Sequence, residues 1–269
     1  MARISVLDAS DTAEIIGWVG KMALEPWEAS ILGVYDVATR PYTGGSRHWF
    51  DFVEHARDLE GDFLEFGVYR GRSLVGTAML LQERGSDSIA VGFDTFAGFP
   101  STSPFDLQER FEQLHEEGRI SSDHFERVVK NRAHLSWLGR DSHPSASSTS
   151  GNFSNTSEHY VRSLLEYTGT DSQVELFAGE FAESVEEPAN ARRTVAGALI
   201  DCDLWGGYQV ALDYVWPRLS PGGMIFLDEY YSLKFPGPRF AVDSFCEEHG
   251  IRPTLLEDEG SWERWAIFK

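Results

Sequence analysis

An α/β fold on a doubly wound parallel sheet is predicted by three features of this 269-residue chain. Short apolar runs alternate with amphipathic helical stretches from residue 61 onward. The continuous apolar runs suit strands buried on both faces. Several end in a glycine or an acid, at the strand-end positions where such sheets bind ligands.

Taken in order, residues 1–60 read as helical and mixed segments, with Asp11 and Glu14 at capping-box spacing. They form an N-terminal cap or lid. Residues 61–269 form the main domain, with an insertion at about 101–157. G-D-F-L-E-F-G predicts a first strand, S-L-V-G-T-A-M-L-L-Q-E-R a helix and S-I-A-V-G-F-D a second strand. Q-V-E-L-F-A-G, V-A-G-A-L-I-D-C-D and G-G-M-I-F-L-D-E supply three more strands. Y-Q-V-A-L-D-Y-V-W-P is the helix between the last two. R-P-T-L-L-E-D and W-E-R-W-A-I-F-K close the chain as a hairpin around Gly260. Within the insertion, F-D-L-Q-E-R-F-E-Q-L-H-E-E-G is helical. The Ser-rich stretch from Asp141 to Ser157 reads as a flexible loop, a lid or a disordered excursion.

Lys plus Arg number 23 against 43 Asp plus Glu, a net charge of −20. Such a surface repels phosphate backbones and anionic bilayers, which argues against nucleic-acid and membrane partners. Two cysteines, Cys202 and Cys246, make no disulfide framework. With no apolar leader and no membrane-length run, the expectation is a cytoplasmic protein.

E-F-G-V-Y-R-G-R-S, Glu65 to Ser73, follows a strand and opens a helix. Its glycines let the backbone approach a ligand, and the new helix's free N–H groups favour an anion. The spacing from Gly67 to Gly71 is not the dinucleotide fingerprint. Asp94 ends the second strand, where a carboxylate can accept ribose hydroxyls. Together these features fit a nucleoside cofactor bearing a carboxylate in place of a diphosphate, as S-adenosylmethionine does.

Asp201, Asp203, Asp228 and Glu229 stand at later strand ends. One strand–helix–strand unit separates Asp201 from Asp228, so parallel neighbours would bring them side by side. Clustered carboxylates repel one another, and Mg²⁺ or Mn²⁺ would relieve that. Strand-end acids also cap following helices, and at Asp203 that alternative stays open.

The chain resembles the metal-dependent O-methyltransferases of macrolide-antibiotic sugars, the macrocin and mycinamicin O-methyltransferase family. G-D-F-L-E-F-G-V-Y-R-G-R-S, V-G-F-D-T-F-A-G-F-P, A-L-I-D-C-D-L-W, Y-V-W-P-R-L-S-P-G-G-M-I-F-L-D-E-Y and A-V-D-S-F-C-E-E-H-G-I carry the resemblance. It implies a class I methyltransferase fold: seven strands, mostly parallel, the last antiparallel, with helices on both faces. It implies that Glu65, Gly67 and Gly71 line an S-adenosylmethionine pocket, with Ser73 at the methionine carboxylate and Asp94 at the ribose. Gly179, Glu180 and Phe181 would lie near the adenine, and Asp201, Asp228 and Glu229 would bind Mg²⁺. The family usually has Asp-Asp where this chain has Asp228-Glu229.

The implied reaction is O-methylation of a small molecule in natural-product or antibiotic biosynthesis, a glycoside or related vicinal diol, with the cation lowering the acceptor's pKa. Candidate bases are Asp201 and His159, the latter at a helix start, where an ordinary surface residue also fits. Lys234 is a further candidate. Trp27, Tyr35, Tyr42 and Trp49 suit an acceptor pocket or a core. Homo-oligomers are common in the family. A catechol or phenol acceptor stays open on sequence alone. A nicotinamide-dependent oxidoreductase lacks its fingerprint, and an inactive assembly protein is opposed by the retained acids.

Overall fold

A computed structural model describes residues 47–56, 58–148, 150–258 and 262–269. The Asp11–Glu14 box, Trp27, Tyr35, Tyr42 and Gly260 lie outside the described residues.

Seven strands form one sheet in the order β3-β2-β1-β4-β5-β7-β6. They are β1 (Asp62–Phe66), β2 (Ala90–Asp94), β3 (Val174–Ala178), β4 (Val195–Ile200), β5 (Leu219–Leu227), β6 (Thr254–Asp258) and β7 (Glu263–Phe268). The first five are parallel, and β7 inserts antiparallel between β5 and β6. The order reverses between β1 and β4, the switch point where doubly wound sheets open a crevice.

Alternation along β1 sends Phe63 to one face and Leu64 and Phe66 to the other, so each face has its own core. On the first face lie α1 (Arg47–His55), α2 (Arg72–Glu83) and α6 (Glu158–Thr168). Trp49 of α1 is fully buried there, and its indole N–H donates to Thr77 Oγ1 at 2.9 Å. The described end of the N-terminal segment thus packs into the sheet domain. On the second face lie α8 (Trp205–Val215) and α9 (Gly237–His249).

The insertion builds a third cluster. α3 (Arg110–Glu116) and α4 (Ser122–Trp137) bury Phe111, Leu114 and Val128 against Phe240 of α9. Asp106 staples this layer to the sheet: its Oδ2 accepts from Ser103 N–H, and its Oδ1 accepts at 2.7 Å from Trp205 N–H, in the first turn of α8. No local side chain caps α8, so this remote carboxylate satisfies one of its free N–H groups. The Ser-rich stretch is mostly irregular. It holds one helical turn, α5 (Pro144–Ser147), and a Ser148–Gly151 bridge, and ends on Ser157, whose Oγ caps α6 by accepting from Tyr160 N–H. Among the described residues, no helix is long and apolar enough to cross a membrane.

Candidate active site

Parallel register sets the strand-end residues in one row. Phe66 pairs with Phe93 and Ile200, and Ile200 pairs with Leu227. The next position in each strand gives Asp94, Gly67, Asp201 and Asp228 across four neighbours. Asp201 N–H donates to Phe66 O at 2.9 Å, and Asp228 N–H to Ile200 O at 3.1 Å. Gly67 has φ +97°, and a Cβ there would sit 1.9 Å from Asp201 O. Only glycine fits both the conformation and the space.

A cavity of about 550 Å³ opens above this row. Gly67, Ser73, Asp94 and Asp201 contribute to its wall, with Glu180 and Phe181 from the turn after β3. Phe181 leads the one-turn helix α7 (Phe181–Ser184) and meets Phe66 edge-on, with ring centroids 5.3 Å apart. Gly179 is not in the wall. It sits at φ +143° and shapes the turn that presents Glu180.

Tyr69, Phe96, Phe153 and Asp203 are the non-glycine residues with left-handed backbone among the described residues. Three of them line the cavity, and Phe96 follows the lining pair Asp94 and Thr95. Such conformations cost on the order of 1–3 kcal/mol each for bulky residues and concentrate at functional sites. The cluster marks this cavity independently of any resemblance.

The Ser-rich stretch supplies part of the wall through Ser150 and Phe153. Backbone and side-chain bonds anchor it. Phe99 N–H donates to Asn152 O at 2.9 Å, Tyr69 Oη to Asn155 Oδ1 at 2.8 Å, and Arg70 Nε to Asn155 O at 3.1 Å. Phe153 contacts Tyr69 and Phe99, and Phe99 contacts Phe235. One aromatic wall therefore joins the β1 loop, the β2 loop, the Ser-rich stretch and the loop after β5.

Gly71, at φ +82°, is the N-cap of α2. Beneath the turn Glu65 is 1% exposed. Its Oε1 accepts from Ser73 Oγ at 2.7 Å, and its Oε2 is buried without a hydrogen-bond partner among the described residues. Burial pushes the Glu65 carboxyl well up, and the Ser73 bond partly offsets this. Asp94 is steered by the loop backbone, with Oδ2 accepting from Tyr69 N–H and Oδ1 from Phe96 N–H, both at 2.7 Å. Its pKa is raised by burial against the pull of those amides. Val68 N–H also pulls on this carboxylate, and the four lone pairs of its two oxygens leave room for a further donor.

Asp201, Asp228 and Glu229 each offer an oxygen, and these atoms lie within 4.8 Å of one another. Burial first, then the Asp228 charge, pushes the Asp201 carboxyl up to about 7. Glu229 is raised by burial and then by Asp201 and Asp203. Asp203 lines the cavity and is likewise raised by burial and by Asp201. The Arg264 guanidinium stands 4.0 Å from Asp228. A single cation at that distance leaves most of the mutual repulsion in place.

His159 occupies the first turn of α6 and is exposed, because α6 buries Tyr160, Val161, Leu164 and Leu165. The fold does not bring it to the cavity or to the acids. Lys234 is half-buried, its pKa lowered by burial and drawn back by Asp203. Trp49 is core, and its neighbour Phe50 reaches the cavity wall instead.

Sequence reasoning missed Tyr69, Phe99, Phe153 and Tyr208. It also missed His124 of α4, which is buried, stacks on Tyr231 at 4.0 Å and bonds through Nε2 to Ser232 O at 2.8 Å. Asn131 Nδ2 donates to Leu233 O at 3.2 Å, so α4 pins the loop after Glu229 at two points. Burial, then the Arg239 and Arg127 charges, lowers the His124 pKa against the pull of Ser232. The unfolded chain therefore binds this proton more readily than the folded one, and stability should fall as pH drops below about 6.5. Melting curves at pH 7.5 and 5.5 should show a smaller acid loss for His124→Gln than for the parent. Equal losses would assign the acid sensitivity elsewhere.

The sheet order, the antiparallel seventh strand and the strand-end cavity are those of the class I methyltransferase fold. Solved structures that share the fold include two O-methyltransferase-type enzymes. One is the O-methyltransferase NovP, with TM-score 0.60, 20% identity, 83% of this chain and 78% of that chain covered. The other is CalS11, a calicheamicin methyltransferase, with TM-score 0.59, 20% identity, 100% of this chain and 97% of that one covered. The macrocin O-methyltransferase (TylF) family model matches residues 123–262, just over half of the sequence, and the chain belongs to that family. Curated relatives include the mycinamicin III 3''-O-methyltransferase of Micromonospora griseorubida, 26% identical over 212 residues, covering 77% of this chain and 68% of the relative. Another, from Streptomyces olivaceus, is the 8-demethyl-8-(2,3-dimethoxy-alpha-L-rhamnosyl)-tetracenomycin-C 4'-O-methyltransferase. It is 26% identical over 212 residues, covering 78% of this chain and 67% of the relative.

Proposed function

We propose that this O-methyltransferase uses S-adenosylmethionine and Mg²⁺ (or Mn²⁺) to methylate a hydroxyl of a sugar, or a related vicinal diol, on a small natural product. The carrying observation is Asp201, which belongs both to the cavity wall and to the carboxylate trio. A methyl donor in the cavity and a cation on the trio would share that residue. The relatives' names, with their 3'' and 4' sugar positions, support a sugar hydroxyl as the acceptor. A cytoplasmic location and a homo-oligomeric state are proposed by analogy alone.

The residues fit both groups. Glu65 Oε2 is a buried acceptor in need of a donor, and an ammonium group would satisfy it. Ser73 and the start of α2 suit a carboxylate. Asp94 has lone pairs for ribose hydroxyls, and Glu180 and Phe181 offer a polar edge and a ring to a base. The trio is an all-oxygen donor set, as hard divalent cations prefer.

S-adenosylmethionine supplies an electrophilic methyl group, and the cation lowers the pKa of the acceptor hydroxyl. The protein's own part is positioning and proton handling. Asp201, Asp228 and Glu229 would hold the cation. The Tyr69–Phe153–Phe99 wall excludes water from one side and offers apolar faces to the acceptor. Asp201, which lines the cavity and belongs to the trio, would be the proton acceptor through a carboxylate oxygen.

The test is methyl transfer from labelled S-adenosylmethionine to glycosides bearing vicinal diols. Chelation with EDTA should abolish transfer, and added Mg²⁺ should restore it. Full activity after chelation and dialysis would sink the metal's role.

A further inference from the structure

Glu229 is one methylene longer than its trio partners Asp201 and Asp228, and that extra reach has to be controlled. Tyr208 of α8 is fully buried beside it. The Tyr208 hydroxyl lies 2.8 Å from Glu229 Oε2, and Glu229 N–H donates back to that hydroxyl at 3.0 Å. Ile200 O, one residue before Asp201, is a second acceptor for the same proton at 2.9 Å. The phenol has one proton for two acceptors, and with a cation holding Glu229 as carboxylate, Oε2 would be the stronger of them. Asp203 N–H adds a longer contact to Oε2 at 3.4 Å. Oε2 is therefore engaged from two sides.

Resting on the metal reading above, we propose that Tyr208 is a positioning residue. Its hydroxyl clamps Glu229 Oε2, so that the longer carboxylate presents Oε1 to the cation beside Asp201 and Asp228. The clamp acts from inside the core. α8 begins just after Asp203, and Leu212 and Val215 bury the same helix against the sheet. The phenol thus has little freedom, and the carboxylate inherits that order. Groups that orient metal ligands in this way typically account for 10–100-fold in metal affinity.

The experiment is Mn²⁺ binding to the metal-free protein, followed by electron paramagnetic resonance, with S-adenosylhomocysteine affinity measured alongside. Tyr208→Phe keeps the ring and removes the clamp. It should weaken Mn²⁺ binding about 10-fold or more while leaving S-adenosylhomocysteine affinity unchanged. Glu229→Asp is too short to reach the phenol, so Tyr208→Phe should add no further loss in that background. Wild-type Mn²⁺ affinity in Tyr208→Phe, or an equal further loss in the Glu229→Asp background, would overturn the proposal. Should Tyr208→Phe fail to fold, 3-fluorotyrosine at position 208 carries the same test. Its ¹⁹F resonance should shift on Mg²⁺ addition in the parent and not in Glu229→Asp, and a resonance indifferent to Mg²⁺ overturns the clamp. A parent protein that binds no Mn²⁺ overturns the metal reading itself, and the clamp with it.

Discussion

Asp201→Asn is expected to lower methyl transfer about 10³-fold while the variant still folds and binds S-adenosylhomocysteine. Asparagine keeps the shape and removes the charge that links the cavity to the carboxylate trio. A cation acting as Lewis acid contributes several kcal/mol to such a barrier. Losing about 4 kcal/mol of it corresponds to roughly a 10³-fold loss. The neutral amide also removes the burial cost and the Asp228 repulsion that push the Asp201 carboxyl up to about 7. Asp201→Asn should therefore melt no lower than the parent in EDTA, and Mg²⁺ should raise the parent's melting temperature more than the variant's. A rate within a few-fold of the parent would remove Asp201 from the reaction. Steady-state kinetics and melting curves with and without Mg²⁺ check both halves.

Gly67→Ala is expected to be the most damaging single methyl in the described chain. The new Cβ would lie 1.9 Å from Asp201 O and 2.6 Å from the carbonyl carbon of that residue. Both are backbone atoms of the neighbouring strand-end, so no side chain can swing away. The φ of +97° adds strain that alanine cannot avoid. Overpacking and strain together should destabilise by about 3–5 kcal/mol, a melting-temperature drop of about 10 °C in a protein of this size. Relief requires β1 and β4 to part, which moves Asp201 away from Asp228. Activity should then fall further than stability alone explains. Gly85, also at positive φ but with nothing within 4 Å of a Cβ, is the control. Gly85→Ala should cost only the backbone strain.

The sheet was legible because its central strands are short, largely apolar and closed by glycine or acid, whereas β3, with Glu175 inside it, is only partly buried. Such runs as V-A-G-A-L-I-D and G-G-M-I-F-L-D admit few other readings. Strand-end spacing then carried the row of Asp94, Gly67, Asp201 and Asp228, because parallel register repeats from strand to strand. α4 was not legible as a helix of sixteen residues, since it buries only His124, Val128 and Leu135. Its clearest signal was the Ser121 N-cap, which accepts from His124 N–H. Composition assigned the Ser-rich stretch to irregular chain, and it is mostly that. Composition carries no trace of the bonds at Asn152 and Asn155 that bind it to the cavity. His159 was placed correctly at a helix start, but its direction depends on which face of α6 meets the core. Tyr208 looked like one more apolar position of an amphipathic helix. Its hydroxyl's partners lie 8 and 21 residues away, and only the folded sheet brings them together.

The most direct test of the account is calorimetric titration of the purified protein with S-adenosylhomocysteine, with and without Mg²⁺. Micromolar, one-to-one binding is expected in the cavity bounded by Gly67, Asp94 and Phe181. The absence of binding under either condition would contradict it and remove the methyl donor from this site.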